Sequence, residues 1–229
     1  MMETIYTIPI NEAYDLKQGC PLCKLAADLD QSSLEFIMGP AMMEPDVRIE
    51  VNRLGFCAGH YMKMLNMRNR LSLALMLESH LCQIEEELKK ESPDRKRFFT
   101  AGGNGANISK TAKSCFICLR VERFFTQYLK NIVYLWDREP EFRDKFLAQQ
   151  YYCFEHYGRL LEYSETALSV KRGVLFSGDM RTVELNWLGK TKELISAFCR
   201  SFDYRYSESE LGDAKDAVER AIDFLSGSR

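Results

Sequence analysis

The chain has 229 residues, 46% hydrophobic and 28% charged, enough apolar material for a packed core and too much for a disordered chain. Lys+Arg 31 against Asp+Glu 33 leaves a net charge of -2, which excludes a strongly basic nucleic-acid or membrane-surface binder at the level of the whole chain. No apolar run approaches the roughly 18 residues that a membrane span requires.

The first segment, MMETIYTIPINEAYD, carries Glu3, Glu12 and Asp15 and has no basic-then-apolar export signal, so a cytoplasmic location is expected. Tyr6 to Ile10 is the only strand candidate and has no evident partner. After Cys20-Pro21-Leu22-Cys23, the residues Leu25, Ala26, Leu29, Phe36 and Ile37 recur at helical spacing until Gly39-Pro40. Glu44-Pro45-Asp46 has the chemistry of a helix start, with proline in the first turn and acids at the positive end of the dipole. Cys57-Ala58-Gly59-His60 follows, and Met62, Leu65, Leu73, Met76, Leu77, Leu81, Ile84 and Leu88 predict one long helix up to about Lys90.

Residues 92–114 hold Ser92-Pro93 and Gly102-Gly103-Asn104-Gly105 and are expected to form a linker. No strand precedes the glycines and no Gly-Lys-Ser/Thr follows them, so a phosphate cradle is not expected. The basic run Arg95-Lys96-Arg97, with Lys89 and Lys90, fits a solvated helix end. Cys115-Phe116-Ile117-Cys118 opens a second helix carrying Leu119, Phe124, Phe125, Tyr128, Leu129, Ile132 and Trp136. Cys153-Phe154-Glu155-His156 starts another with Tyr157, Leu160, Leu161, Ala167 and Leu168. A further helix bears Met180, Val183, Trp187, Leu188, Leu194, Ile195 and Phe198, and a last one turns Ala217, Val218, Ala221, Ile222 and Leu225 inward. Phe202-Asp203-Tyr204-Arg205 lies between them as an aromatic and charged turn.

Two of these stretches are one unit written twice. Cys115 and Cys118 follow Cys20 and Cys23 by 95 positions, and Glu139-Pro140-Glu141-Phe142-Arg143 follows Glu44-Pro45-Asp46-Val47-Arg48 by the same offset. After one inserted residue, Cys153 and His156 follow Cys57 and His60 by 96. The expected organisation is a first repeat over 1–91, the linker 92–114, and a second repeat with C-terminal helices over 115–229, the repeats packed as one unit.

Cysteines in a reducing compartment, clustered with histidines, are metal ligands or redox centres rather than disulfides. Cys20, Cys23, Cys57 and His60 make one Cys3His set; Cys115, Cys118, Cys153 and His156 make the other. Zinc accepts thiolate and imidazole in a tetrahedron, and four protein ligands leave no position for water, which marks a structural site. A helix of about 16 residues covers roughly 24 Å, so an outgoing and a returning helix would bring each Cys-x-x-Cys to the Cys-x-x-His of its own repeat. An iron–sulfur cluster or a dithiol redox pair are the alternative uses of the same cysteines. Cys82 and Cys199 lack metal-spaced neighbours and are expected in the core.

The residues Ile5-Tyr6-Thr7-Ile8-Pro9-Ile10-Asn11, Cys20-Pro21-Leu22-Cys23, Met42-Met43-Glu44-Pro45-Asp46-Val47-Arg48, Gly55-Phe56-Cys57 with His60, Tyr134-Leu135-Trp136, Glu139-Pro140-Glu141-Phe142-Arg143, Phe202-Asp203-Tyr204-Arg205 and Lys215-Asp216-Ala217 resemble an uncharacterised, mainly bacterial family with a domain of unknown function. Tyr152 departs from the glycine-phenylalanine favoured before the cysteine. The resemblance implies an α-helical protein with metal sites and no established activity.

No His-Glu-x-x-His, Gly-x-Ser-x-Gly or deaminase pattern occurs. Arg48 and Arg143, at matched positions, are expected to form exposed ion pairs within their helices, or else to face the thiolates or a shared surface. Glu44 and Glu139 are assigned to helix starts. The expectation is an all-α, internally duplicated bundle with two zinc-stapled helical hairpins, a non-enzymatic interaction or regulatory module. Its alternatives are a redox or iron–sulfur sensor and, more weakly, an enzyme or a nucleic-acid binder. A protein partner is compatible with this reading; nucleic acid and membrane are not expected partners.

Overall fold

The computed structural model describes residues 4–90, 114–202 and 212–227. Among them are ten α-helices and no strand: α1 (Thr7–Asp15), α2 (Pro21–Met38), α3 (Pro45–Leu54), α4 (Ala58–Asn66), α5 (Arg70–Lys90), α6 (Phe116–Arg138), α7 (Pro140–Leu147), α8 (Phe154–Ala167), α9 (Val170–Arg200) and α10 (Ala217–Ser226). Among the described residues no helix is long and apolar enough to cross a membrane. The glycine cluster, the Arg95–Arg97 run, the linker except Ser114, and Asp203 to Arg205 fall outside the described residues.

The strand candidate at Tyr6 to Ile10 is instead a short 3-10 turn running into α1. Pro9 falls in the first helical turn, where a missing N–H costs nothing. Ile10, Ala13 and Tyr14 are buried, a helical period that outweighs the alternation of Tyr6, Ile8 and Ile10. The single helix expected after His60 is two, because the chain leaves helical geometry between Asn66 and Arg70. Asn69 restarts it: its side-chain oxygen accepts the Ser72 N–H at 3.2 Å, and its amide donates to the Met38 carbonyl at 2.9 Å. Of the predicted apolar face, Leu73 and Met76 are buried, whereas Met62, Leu81 and Leu88 are more than half exposed.

The chain divides into two compact units, Met1–Ala27 with Phe125–Arg229, and Asp28–Phe124. These bounds fall inside α2 and inside α6. In the first unit, Tyr14, Trp136, Phe146, Tyr152 and Phe176 form a buried aromatic core, with Trp136 edge-on to Phe176 at 4.9 Å. Asp179 accepts from Trp136 Nε1 at 3.0 Å and from Arg143 Nε and Nη2 at 2.6 and 3.1 Å, and the Arg143 guanidinium lies over the Trp136 ring. Arg143 therefore joins α7 to α9, correcting the expected exposed pair within its own helix. In the second unit, α3 and α4 pack on α5, and Leu34, Ile37, Val51, Leu54, Met64 and Met76 join Phe116 and Ile117 in the core.

Candidate metal centres

Each of the four motifs sits at a helix start. Cys57 and Cys153 are the N-cap residues of α4 and α8, and Cys20 and Cys115 immediately precede α2 and α6. The first residue of every motif therefore accepts early helical hydrogen bonds at its carbonyl, as in Tyr61 N to Cys57 O at 3.0 Å and Tyr157 N to Cys153 O at 2.8 Å. The second ligand falls one turn in, on the same side of the helix end. The spacing of two intervening residues is the spacing of N-cap and N3, which sets both donors at the helix N-terminus, the positive end of the dipole. Cys118 N donates to Cys115 Sγ at 3.5 Å in this way.

The eight predicted ligands assemble into two quartets, but not the quartets expected. Cys20 and Cys23 meet Cys153 and His156; Cys57 and His60 meet Cys115 and Cys118. In each set the donor atoms lie within 4.8 Å of one another. The expected pairing is thus replaced by an exchange: Cys20 and Cys23 close with Cys153 and His156, and Cys115 and Cys118 close with Cys57 and His60. Contacts at the mouths of the sets give the physical reason: they tie the loop before Cys20 to the loop before Cys153, and the turn before Cys57 to the turn at Cys115.

Specific contacts close the exchanged sets. In the first unit, Gly19 N donates to Gln150 Oε1 at 3.0 Å, and Gln149 Nε2 donates to the Tyr14 carbonyl at 2.8 Å, tying the loop before Cys20 to the loop before Cys153. In the second, Phe116 N donates to Gly55 O at 2.9 Å and Ser114 Oγ to Leu54 O at 2.6 Å, tying the turn before Cys57 to the turn at Cys115. Gly55 has φ +59, and a Cβ there would stand 2.7 Å from His80 Nε2. His80, the histidine outside both motifs, donates from Nδ1 to the Asn52 carbonyl at 2.7 Å and supports this turn from behind.

The distances match one ion per quartet. Tetrahedral zinc, with Zn–S of about 2.3 Å and Zn–N of about 2.0 Å, places its sulfurs about 3.8 Å apart and sulfur to nitrogen about 3.5 Å. Cys23 and Cys153 sulfurs are 3.5 Å apart and those of Cys57 and Cys118 3.9 Å. His156 Nδ1 lies 3.6, 3.4 and 3.1 Å from the sulfurs of Cys20, Cys23 and Cys153. His60 Nδ1 lies 3.1, 3.2 and 3.5 Å from those of Cys57, Cys115 and Cys118. Both rings present Nδ1 to the thiols, and His60 Nε2 is held by Asp30 Oδ1 at 2.7 Å. Asp30 in turn pairs with Lys63 at 2.7 Å. A carboxylate behind the ligating imidazole fixes its ring and tautomer; no motif marks Asp30 in the sequence, since it lies mid-helix in α2.

Protonation shows the strain of grouping these donors. Contact with the Cys115 thiolate, helped by Asp30 and opposed by burial, raises His60 to about 9. Burial works against ionisation of Cys115, yet hydrogen bonds from His60 and from backbone N–H groups bring it down to about 6. Burial and the neighbouring Cys115 push Cys118 up to about 12. In the other set, burial and the adjacent Cys153 and Cys23 hold Cys20 well above its ordinary value. Burial lowers the His156 basicity, but Cys153 and Cys23 overcome it, to about 9. Thiols packed this closely cannot all ionise against one imidazolium; a divalent cation at the centre relieves the repulsion and displaces the protons. Both quartets could hold a metal ion.

Cys82 and Cys199 are exposed, not in the core, because the helix faces carrying them turn outward. Glu44 and Glu139 are N-cap residues of α3 and α7 without side-chain caps. No curated protein and no solved structure matches the chain. The model of a family of unknown function, DUF6062, matches residues 1–229, and the chain belongs to that family.

Proposed function

We propose that each quartet binds one zinc ion as a structural clasp, and that the protein is a non-enzymatic helical module for interaction or regulation. The observation carrying this reading is the convergence of three sulfurs and one nitrogen on a single point, twice, each point fed by two helix N-termini. Four protein donors leave no position for water or substrate. The tightness of each set favours a single ion, since a multi-iron cluster spreads its ligating sulfurs more widely. Structural zinc contributes about 10–16 kcal/mol in small zinc-finger peptides, comparable with the whole stability of a domain.

The internal duplication belongs to the same proposal. Helix starts at Pro21 and Phe116, and at Pro45 and Pro140, keep the 95-residue offset, and Ala58 and Phe154 keep 96. A duplicated hairpin whose two copies exchange their closing ends ties residues far apart in sequence. Elemental analysis of the purified protein tests the reading: about two zinc per chain is expected, and metal-free protein, or iron with sulfide, overturns it. Removing the ions with a chelator is expected to lower helicity.

A further inference from the structure

The two quartets differ in how they meet solvent. In the first, Cys153, Cys20, Cys23 and His156 are only 0, 2, 6 and 7% exposed, and α10 lies over them. Ala217 and Phe224 turn α10 inward, Phe224 meeting Tyr151 edge-on at 5.7 Å. The expected inward residues Val218, Ile222 and Leu225 instead face out. Just past α10 the buried Gly227, at φ +78, lies so close that a Cβ would stand 3.5 Å from Cys23 Sγ and 3.6 Å from Cys153 Sγ. In the second quartet Cys115 and His60 are buried, but Cys57 is half-buried and Cys118 is exposed.

Resting on the zinc reading above, the geometry points to a division of labour: the Cys57–His60–Cys115–Cys118 site exchanges its ion with thiol-bearing metal acceptors through the Cys118 edge, while the Cys20–Cys23–Cys153–His156 site, covered by α10 and Gly227, retains its own. The step is a ligand substitution without redox change. The acceptor's sulfur bonds the zinc as the bond to Cys118 Sγ breaks, and the proton lost by the acceptor thiol passes to the Cys118 thiolate. The same substitution follows at Cys57 and then at the two buried donors, each acceptor thiol passing its proton to the departing Cys57 or Cys115 thiolate or to the His60 imidazole, and the ion leaves on the acceptor sulfurs. Access of the attacking group sets the rate, because a site screened by packed side chains must first open locally. The protein would then keep one ion for its fold and pass or sense the other.

The zinc-loaded full chain, mixed with an excess of 4-(2-pyridylazo)resorcinol, tests this by absorbance. Two phases of one ion each are expected, with rates separated by about tenfold or more. Alkylation by N-ethylmaleimide at the end of the first phase, read by peptide mass spectrometry, should mark Cys57, Cys115 and Cys118 and spare Cys20, Cys23 and Cys153. Exposed Cys82 and Cys199 report labelling from the start. Dithiothreitol replacing the dye should withdraw the same first ion. Gly227→Val, which strains a positive-φ position and pushes on two sulfurs, should accelerate the second phase and leave the first unchanged. Release of both ions in one phase, the reverse labelling order, or an unaltered second phase in folded Gly227→Val overturns the inference while leaving two zinc sites intact. A chain that never holds zinc fails the reading beneath it instead. Labelling of the unsubstituted protein decides the order even if Gly227→Val does not fold.

Discussion

The sulfurs of Cys23 and Cys153 stand 3.5 Å apart although 130 residues separate them in sequence. Cys57 and Cys118 close the other quartet at 3.9 Å across 61 residues. A bound ion at either place links segments that the chain alone brings together only at a large entropic cost, and the loss of one ligand is felt far along the sequence.

Asp30 supplies the first expected outcome. Its carboxylate holds His60 Nε2 at 2.7 Å, so Asp30→Ala frees the ring and exchanges a fixed tautomer for a mobile one. Loss of such a supporting carboxylate weakens metal binding by about 10–100-fold. Competition titration with a chromophoric chelator should show the weakening for one ion only, the ion of the Cys57–His60–Cys115–Cys118 site.

Gly55 makes a second. Its φ of +59, and the 2.7 Å that would separate an added Cβ from His80 Nε2, leave no room for a side chain. Gly55→Ala should destabilise the protein by about 1–3 kcal/mol, measured by urea unfolding, because strain at a positive-φ position adds to the displacement of His80. The same turn carries Cys57, so metal affinity at that site should fall as well.

Glu184 predicts a pH dependence. It is 6% exposed, and one carboxylate oxygen accepts the Tyr152 N–H at 2.8 Å, while the other has no partner among the described residues. Burial raises its pKa from 4.5 to about 7, the Tyr152 hydrogen bond opposing. A folded pKa above the unfolded one means that the native state holds the proton more tightly. This contribution to stability is full below pH 4.5 and is lost as pH rises to about 7. Glu184→Gln should flatten that part of the stability profile, read from thermal unfolding at a series of pH values.

Much of this molecule is legible in its residues. The constant offsets of 95 and 96 identify all eight residues of the two quartets, and proline with acids marks the starts of α3 and α7. The choice of partner is not legible, because two Cys-x-x-Cys and two Cys-x-x-His motifs of the same type allow two pairings, and spacing serves both equally. Only the ties at Gly19–Gln150 and Gly55–Phe116 select one. Asp30 is likewise silent, an acid on a helix face until the fold brings His60 to it. Cys82 and Cys199 mislead for a related reason: an apolar residue on an amphipathic helix is buried only where another element covers it.

Zinc content of two paired-substitution variants tests the exchange most directly. Cys20→Ser with Cys153→Ser removes two ligands from one quartet, and Cys20→Ser with Cys57→Ser removes one from each. The first variant should keep the other site and retain about one zinc per chain, and the second, with both quartets broken, should hold less than the first after dialysis against a mild chelator. If the ligands instead close within each repeat, the order reverses: the Cys20/Cys57 variant keeps a full site and the Cys20/Cys153 variant loses both.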